Sequence, residues 1–100
     1  MKYKIPKNFD MGGQTIKVKV KPDVGKDGAI GFYSSYENRI EVQTHLDGSL
    51  IDKSKVEQTF WHEYAHCLLE HCRQDDLGAN EDLVDLMGEF LYQSLGKKKW

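Results

Sequence analysis

The sequence is poor in the features that would place it outside ordinary globular proteins. Two cysteines in 100 residues cannot supply the framework of bridges that holds small secreted domains together. Cys67 and Cys72 stand five apart on a segment that reads as one helix, where their side chains diverge and a bridge would require unwinding. No Cys-x-x-Cys pair is present to hold a metal through thiolates, so both are expected as reduced thiols in the core. There are no internal repeats or low-complexity segments. No apolar run approaches the roughly 20 residues a membrane-spanning helix needs. Lys2, Lys4 and Lys7 are followed by Pro6, Asn8 and Asp10 rather than an apolar stretch, unlike a secretory signal; the expected location is the cytoplasm, with no membrane partner. A net charge of -2 gives no reason to expect nucleic acid as a partner. The Lys97-Lys98-Lys99 run reads as a solvated tail.

What remains is 39% hydrophobic and 30% charged, enough for one modest core and hence a single domain over residues 1–100. The first half has strand character. Residues 14–21 alternate Ile16, Val18 and Val20 against Thr15, Lys17, Lys19 and Lys21, the pattern of a half-buried strand. Residues 22–28 read as a loop, and residues 29–34 and 39–44 as two further strands joined by a hairpin-length connection. Ile40 and Val42 should face the core, with Arg39, Glu41 and Gln43 on the other side. The second half is helical. Asp52 or Ser54 can cap a helix running to about Cys72; residues 73–79 connect it to a second, capped by Asn80 and stopped near Leu95 by Gly96. The expected fold is α+β: a small three-stranded sheet followed by two packed helices.

The segment His62-Glu63-Tyr64-Ala65-His66 carries the chemistry. Histidines four apart on a helix present both imidazoles on one face, so both can ligate one ion. Between them, Glu63 can take the proton of a water that a zinc ion has acidified. At 100° per residue, Phe60, Trp61, Tyr64, Cys67, Leu68 and Cys72 form a wide apolar arc, and His62 and His66 fall just outside it. That position borders the core without entering it. His71 rotates away from both and reads as a structural histidine; His45 reads as a solvated loop residue.

A third protein ligand must come from elsewhere. The second helix carries Glu81, Asp82, Asp85 and Glu89, and Glu81 lies closest to its apolar face. Gly88 shares that side two turns on, where a missing side chain would let two helices approach closely. Acids in a first turn also serve the helix dipole. Asp85 would reach further down the first helix if the two were antiparallel, a direction left open at this point.

Asn80-Glu81-Asp82-Leu83-Val84-Asp85 resembles N-E-x-x-x-D, the second motif of the thermolysin-like gluzincins. The resemblance implies Glu81 as third zinc ligand and Asp85 as the partner that orients His62. Only fourteen residues separate His66 from Glu81, short for that family. In length and order of elements the chain is more similar to the minimal zincins encoded by phages and prophages, distant relatives of the ImmA/IrrE metallopeptidases.

These resemblances imply a zincin-like domain acting as a zinc-dependent endopeptidase on a protein or peptide. His62, His66 and Glu81 would bind Zn2+, Glu63 would act as general base, and Asp85 would orient His62. By the same analogy an extended substrate would lie along an edge strand, expected at residues 39–44. Tyr33, Tyr36, Tyr92 and His45 are candidate oxyanion donors, each more commonly structural. The alternative is a zinc-binding regulatory or protein-interaction module without turnover, which should complete the metal shell with a fourth protein ligand.

Overall fold

A computed structural model of the chain describes residues 2–26, 28–73 and 75–96; the Lys97-Lys98-Lys99 run lies outside them. The fold is α+β. Four strands, β1 (Asn8–Met11), β2 (Gln14–Lys21), β3 (Gly31–Ser34) and β4 (Arg39–Gln43), form one sheet in the order β1-β2-β4-β3. A two-stranded ribbon, β5 (His45–Leu46) and β6 (Ser49–Leu50), leads into the helices α1 (Lys53–His71), α2 (Asp75–Gly78) and α3 (Glu81–Leu91). Helix α3 widens into a single π-helical turn, Tyr92–Gly96.

The sheet thus has four strands rather than three. β1 pairs with β2 through a two-residue turn, Gly12 (φ 60°) and Gly13 (φ 80°). Glycine at both central positions suits the left-handed backbone of a tight hairpin. The segment expected to connect the helices holds the short helix α2.

Ile16 and Val18 of β2, Ile40 and Val42 of β4, and Val56, Phe60 and Cys67 of α1 form the main core, with Phe9, Met11, Tyr33, Trp61 and Tyr64 packed against it. Ala65 and Leu69 on another side of α1 meet Val84 of α3, with Met87 and Leu91 beside them. Helix α1 is therefore sandwiched between sheet and α3. Its start is tied down at Glu57, which is buried and accepts the Lys4 N–H at 2.7 Å. Of the two cysteines only Cys67 is buried; Cys72, expected in the core, is exposed at the helix end. No helix among the described residues is long and apolar enough to cross a membrane.

The outward face of β4 is not solvated. Glu41 is buried beneath Lys21 and Arg39, whose cationic groups reach its carboxylate at 2.8 and 2.7 Å. Gln43 is buried too, accepting the Val24 N–H. The alternation expected from the sequence holds, but long side chains, Lys21 from β2 and Arg39 from β4 itself, cover the polar side.

β4 pairs with β2 in parallel and with β3 antiparallel, so both its backbone edges are engaged. The free edge on that side belongs to β3. The expectation of residues 39–44 as the edge is thereby corrected: the chain passes the β4 position to form β3 and then folds back between β3 and β2.

Candidate metal centre

Helix α1 carries His62 and His66 one turn apart, with ring centroids 5.0 Å from each other. Helix α3 lies antiparallel across them: Glu81 at its start reaches both histidines, Asp85 reaches His62, and Gly88 lies against the backbone of Trp61 and His62. Two local features set this docking. Asn80 caps α3, its Oδ1 accepting the Leu83 N–H at 3.1 Å, which holds Glu81 in the first turn. At Gly88, a Cβ would fall 2.9 Å from His62 Cα and 3.0 Å from His62 N. These are backbone atoms that cannot step aside, so only glycine permits this approach.

One Glu81 oxygen lies 3.2 Å from His62 Nε2 and the other 3.1 Å from His66 Nε2. The ligating atoms of the three residues all fall within 4.8 Å of one another, so this group could hold a metal ion. Two ligands at about 2.0–2.1 Å from zinc, at tetrahedral angles, stand about 3.3 Å apart, close to the separations seen. Asp85 Oδ1 lies 2.7 Å from His62 Nδ1. With that nitrogen donating to the carboxylate, the lone pair of Nε2 faces Glu81, the tautomer a metal requires. Both histidines are about one-fifth exposed, whereas Glu81 and Asp85 are mostly exposed.

Glu63 is only 8% exposed. Burial, and secondarily the charge of Glu81, push its pKa up to about 7. The strand β3 passes close above it at Gly31. A Cβ at that glycine would lie 2.6 Å from Thr59 Cγ2 and 3.5 Å from Glu63 Oε2. Gly31 was not singled out in the sequence, although a glycine inside a strand signals close approach of another element.

These groups line one cleft of about 1090 Å³, bounded by β3 and the residues before it, the exposed side of α1, and α3. Tyr33 alone of the four candidate oxyanion donors lines it. Its hydroxyl sits beside Cys67 and Glu70, and burial raises its pKa well above the usual tyrosine range. Tyr36 is almost fully exposed and Tyr92 is buried. His45 lines a separate depression and contacts Thr44 Oγ1 at 2.8 Å. His71 lies outside the cleft, with Nδ1 2.9 Å from the Cys67 carbonyl and its ring against the Gly12 turn, as a structural histidine should.

Compared with protein-family models, curated proteins and solved structures, the chain matches none of them.

Proposed function

We propose that this protein is a zinc-dependent endopeptidase. The observation that carries the reading is the convergence of His62, His66 and Glu81 from two helices, with Glu63 buried beside them in an open cleft. The donor set of two imidazoles and one carboxylate is a catalytic zinc set, which leaves a coordination position open. When bound, zinc supplies Lewis acidity, both to acidify water and to polarise a scissile carbonyl.

The chain's own residues supply the rest. Asp85 holds the His62 ring in the tautomer and orientation for ligation. Glu63 accepts the proton of the attacking water and returns it to the departing amine. The free edge of β3 receives the substrate backbone. Gln43 N–H donates to Ile30 O, and alternation along an antiparallel pair then turns the N–H and C=O groups of Gly31 and Tyr33 away from β4. They are available for strand addition by an extended peptide. The resemblance of the two motifs to those of gluzincins and minimal zincins supports the same reading.

A zinc-binding regulatory module without turnover should close the metal shell with a fourth protein ligand. Among the described residues the group that could hold an ion contains only His62, His66 and Glu81.

The test separates binding from chemistry. Purified without chelator, the protein should carry close to one zinc per chain by elemental analysis, and the double variant His62→Ala/His66→Ala should carry none. Glu63→Gln should keep the zinc but lose hydrolysis of a quenched fluorescent peptide library by about a hundredfold or more. Full zinc in the double variant, or unchanged hydrolysis in Glu63→Gln, would overturn the assignment.

A further inference from the structure

The cleft is unevenly charged. Among the described residues, Glu63, Glu70, Glu81, Asp85 and Glu89 line it, against Lys55 as the one lysine or arginine. A divalent ion there would offset Glu81 and Glu63, leaving Asp85, Glu70 and Glu89 facing Lys55. A recessed surface of one sign concentrates ligands of the opposite sign. Glu63, more than nine-tenths buried, faces the same space with no hydrogen-bond or ion-pair partner among the described residues. Neither Glu70 nor Glu89 has a basic partner among them.

The charges are also ordered along the cleft. Lys55 stands two turns before His62 on α1, and Glu70 one turn after His66. β3 runs in the same direction as α1: Gly31 lies over Thr59 and Glu63, and Tyr33 over Cys67 and Glu70. The Glu70 carboxylate, half-buried against the Tyr33 hydroxyl, therefore sits where a peptide added to β3 would pass. Glu70 lies about 6 Å along the helix axis beyond His66, and an extended chain advances about 3.3 Å per residue.

We propose that the cleft selects cationic peptides, and that Glu70 receives a lysine or arginine side chain two or three residues from the bond placed at the metal centre. This rests on the peptidase reading for the position of the bond.

Binding and cleavage are read separately. Zinc-loaded Glu63→Gln protein serves as a non-cleaving trap, titrated by fluorescence anisotropy with a neutral labelled decapeptide and with versions bearing one lysine at each position. Lysine at one or two adjacent positions should tighten binding about fivefold, and the gain should shrink as salt rises. Adding Glu70→Gln should abolish the gain and leave affinity for the neutral peptide within twofold. Glu70→Asp, which keeps the charge, should preserve most of the gain, and thermal melts check that each variant is folded. No positional gain, a gain that survives Glu70→Gln, or no binding of any peptide overturns the proposal. Wild-type zinc protein is then given the same peptides. Cleavage with no lysine preference sinks the specificity proposal and leaves the peptidase reading standing. Lysine-dependent binding without cleavage sinks the peptidase reading and leaves the cationic cleft.

Discussion

Glu63 should destabilise the metal-free protein at neutral and alkaline pH, and replacing it by glutamine should relieve that cost. Its folded-state pKa is raised from 4.5 to about 7, chiefly by burial. Below about pH 4.5 the carboxyl is protonated in both folded and unfolded chains, and no penalty arises. As pH rises from there towards 7, the unfolded chain releases the proton while the folded chain retains it, so stability falls. Above about 7 the group is ionised in both states and the full cost is in place. At about 1.4 kcal/mol per unit, that cost is about 3 kcal/mol. Glutamine has nearly the same shape and does not titrate. In excess chelator, Glu63→Gln and wild type should melt at similar temperatures at pH 4.5, whereas at pH 8.5 the variant should melt roughly 10 °C or more higher. The measurement is the difference between the two proteins at each pH, by circular dichroism. Parallel melting curves for the two proteins across this range would refute the burial argument. A buried carboxylate whose replacement stabilises the fold is the expected signature of a group held at the expense of stability.

The remaining predictions concern the docking of α3 onto α1. Glu81→Gln should strip most zinc at modest chelator, while Asp85→Asn should retain it with affinity weakened about 10- to 100-fold. Chelator titrations decide this, and the reverse order would make Asp85 the ligand. Gly88→Ala gains about 1 kcal/mol in helix propensity. However, it places a methyl group 2.9 Å from His62 Cα, and overpacking of this kind costs about 1–3 kcal/mol. A net loss of about 1 kcal/mol in denaturant melts is expected, with weaker zinc binding because Glu81 and Asp85 move together. A more stable variant with unchanged affinity would show that the close approach is dispensable. Phe60→Ala, which empties the centre of the main core, should cost about 3–5 kcal/mol, measured by the same melts.

Local patterns made much of this molecule legible in its sequence. β2 spans the expected residues 14–21, α1 ends where expected, and Asn80 caps α3 through its side chain. Strand alternation, helix caps and the i, i+4 spacing of His62 and His66 depend only on nearby residues, so they survive any tertiary arrangement. Helix rotation and the gluzincin-like motif favoured Glu81 near the histidines, and the motif resemblance alone implied Asp85 as partner of His62; Glu81 lies within 3.2 Å of both histidines and Asp85 2.7 Å from His62 Nδ1. β1 was legible in principle from Gly12-Gly13 between short alternating segments. The two-residue turn Asp47 (φ 51°) and Gly48 (φ 81°), which closes β5 onto β6, carried a similar signal.

Only the tertiary structure decided which strand borders the cleft. Residues 29–34 and 39–44 have similar strand character, and nothing local says that β4 is inserted between β2 and β3. Strand order depends on hydrogen bonds between segments distant in sequence, whose competing pairings share one alternation pattern. For the same reason the burial of Glu41 under Lys21 and Arg39, the antiparallel direction of α3, and the arrival of Glu70 beside Tyr33 at the end of the cleft emerge only once the sheet and helices are assembled. The sequence determined the donor groups and the helix faces that carry them; packing of α1 between sheet and α3 determined what those faces meet.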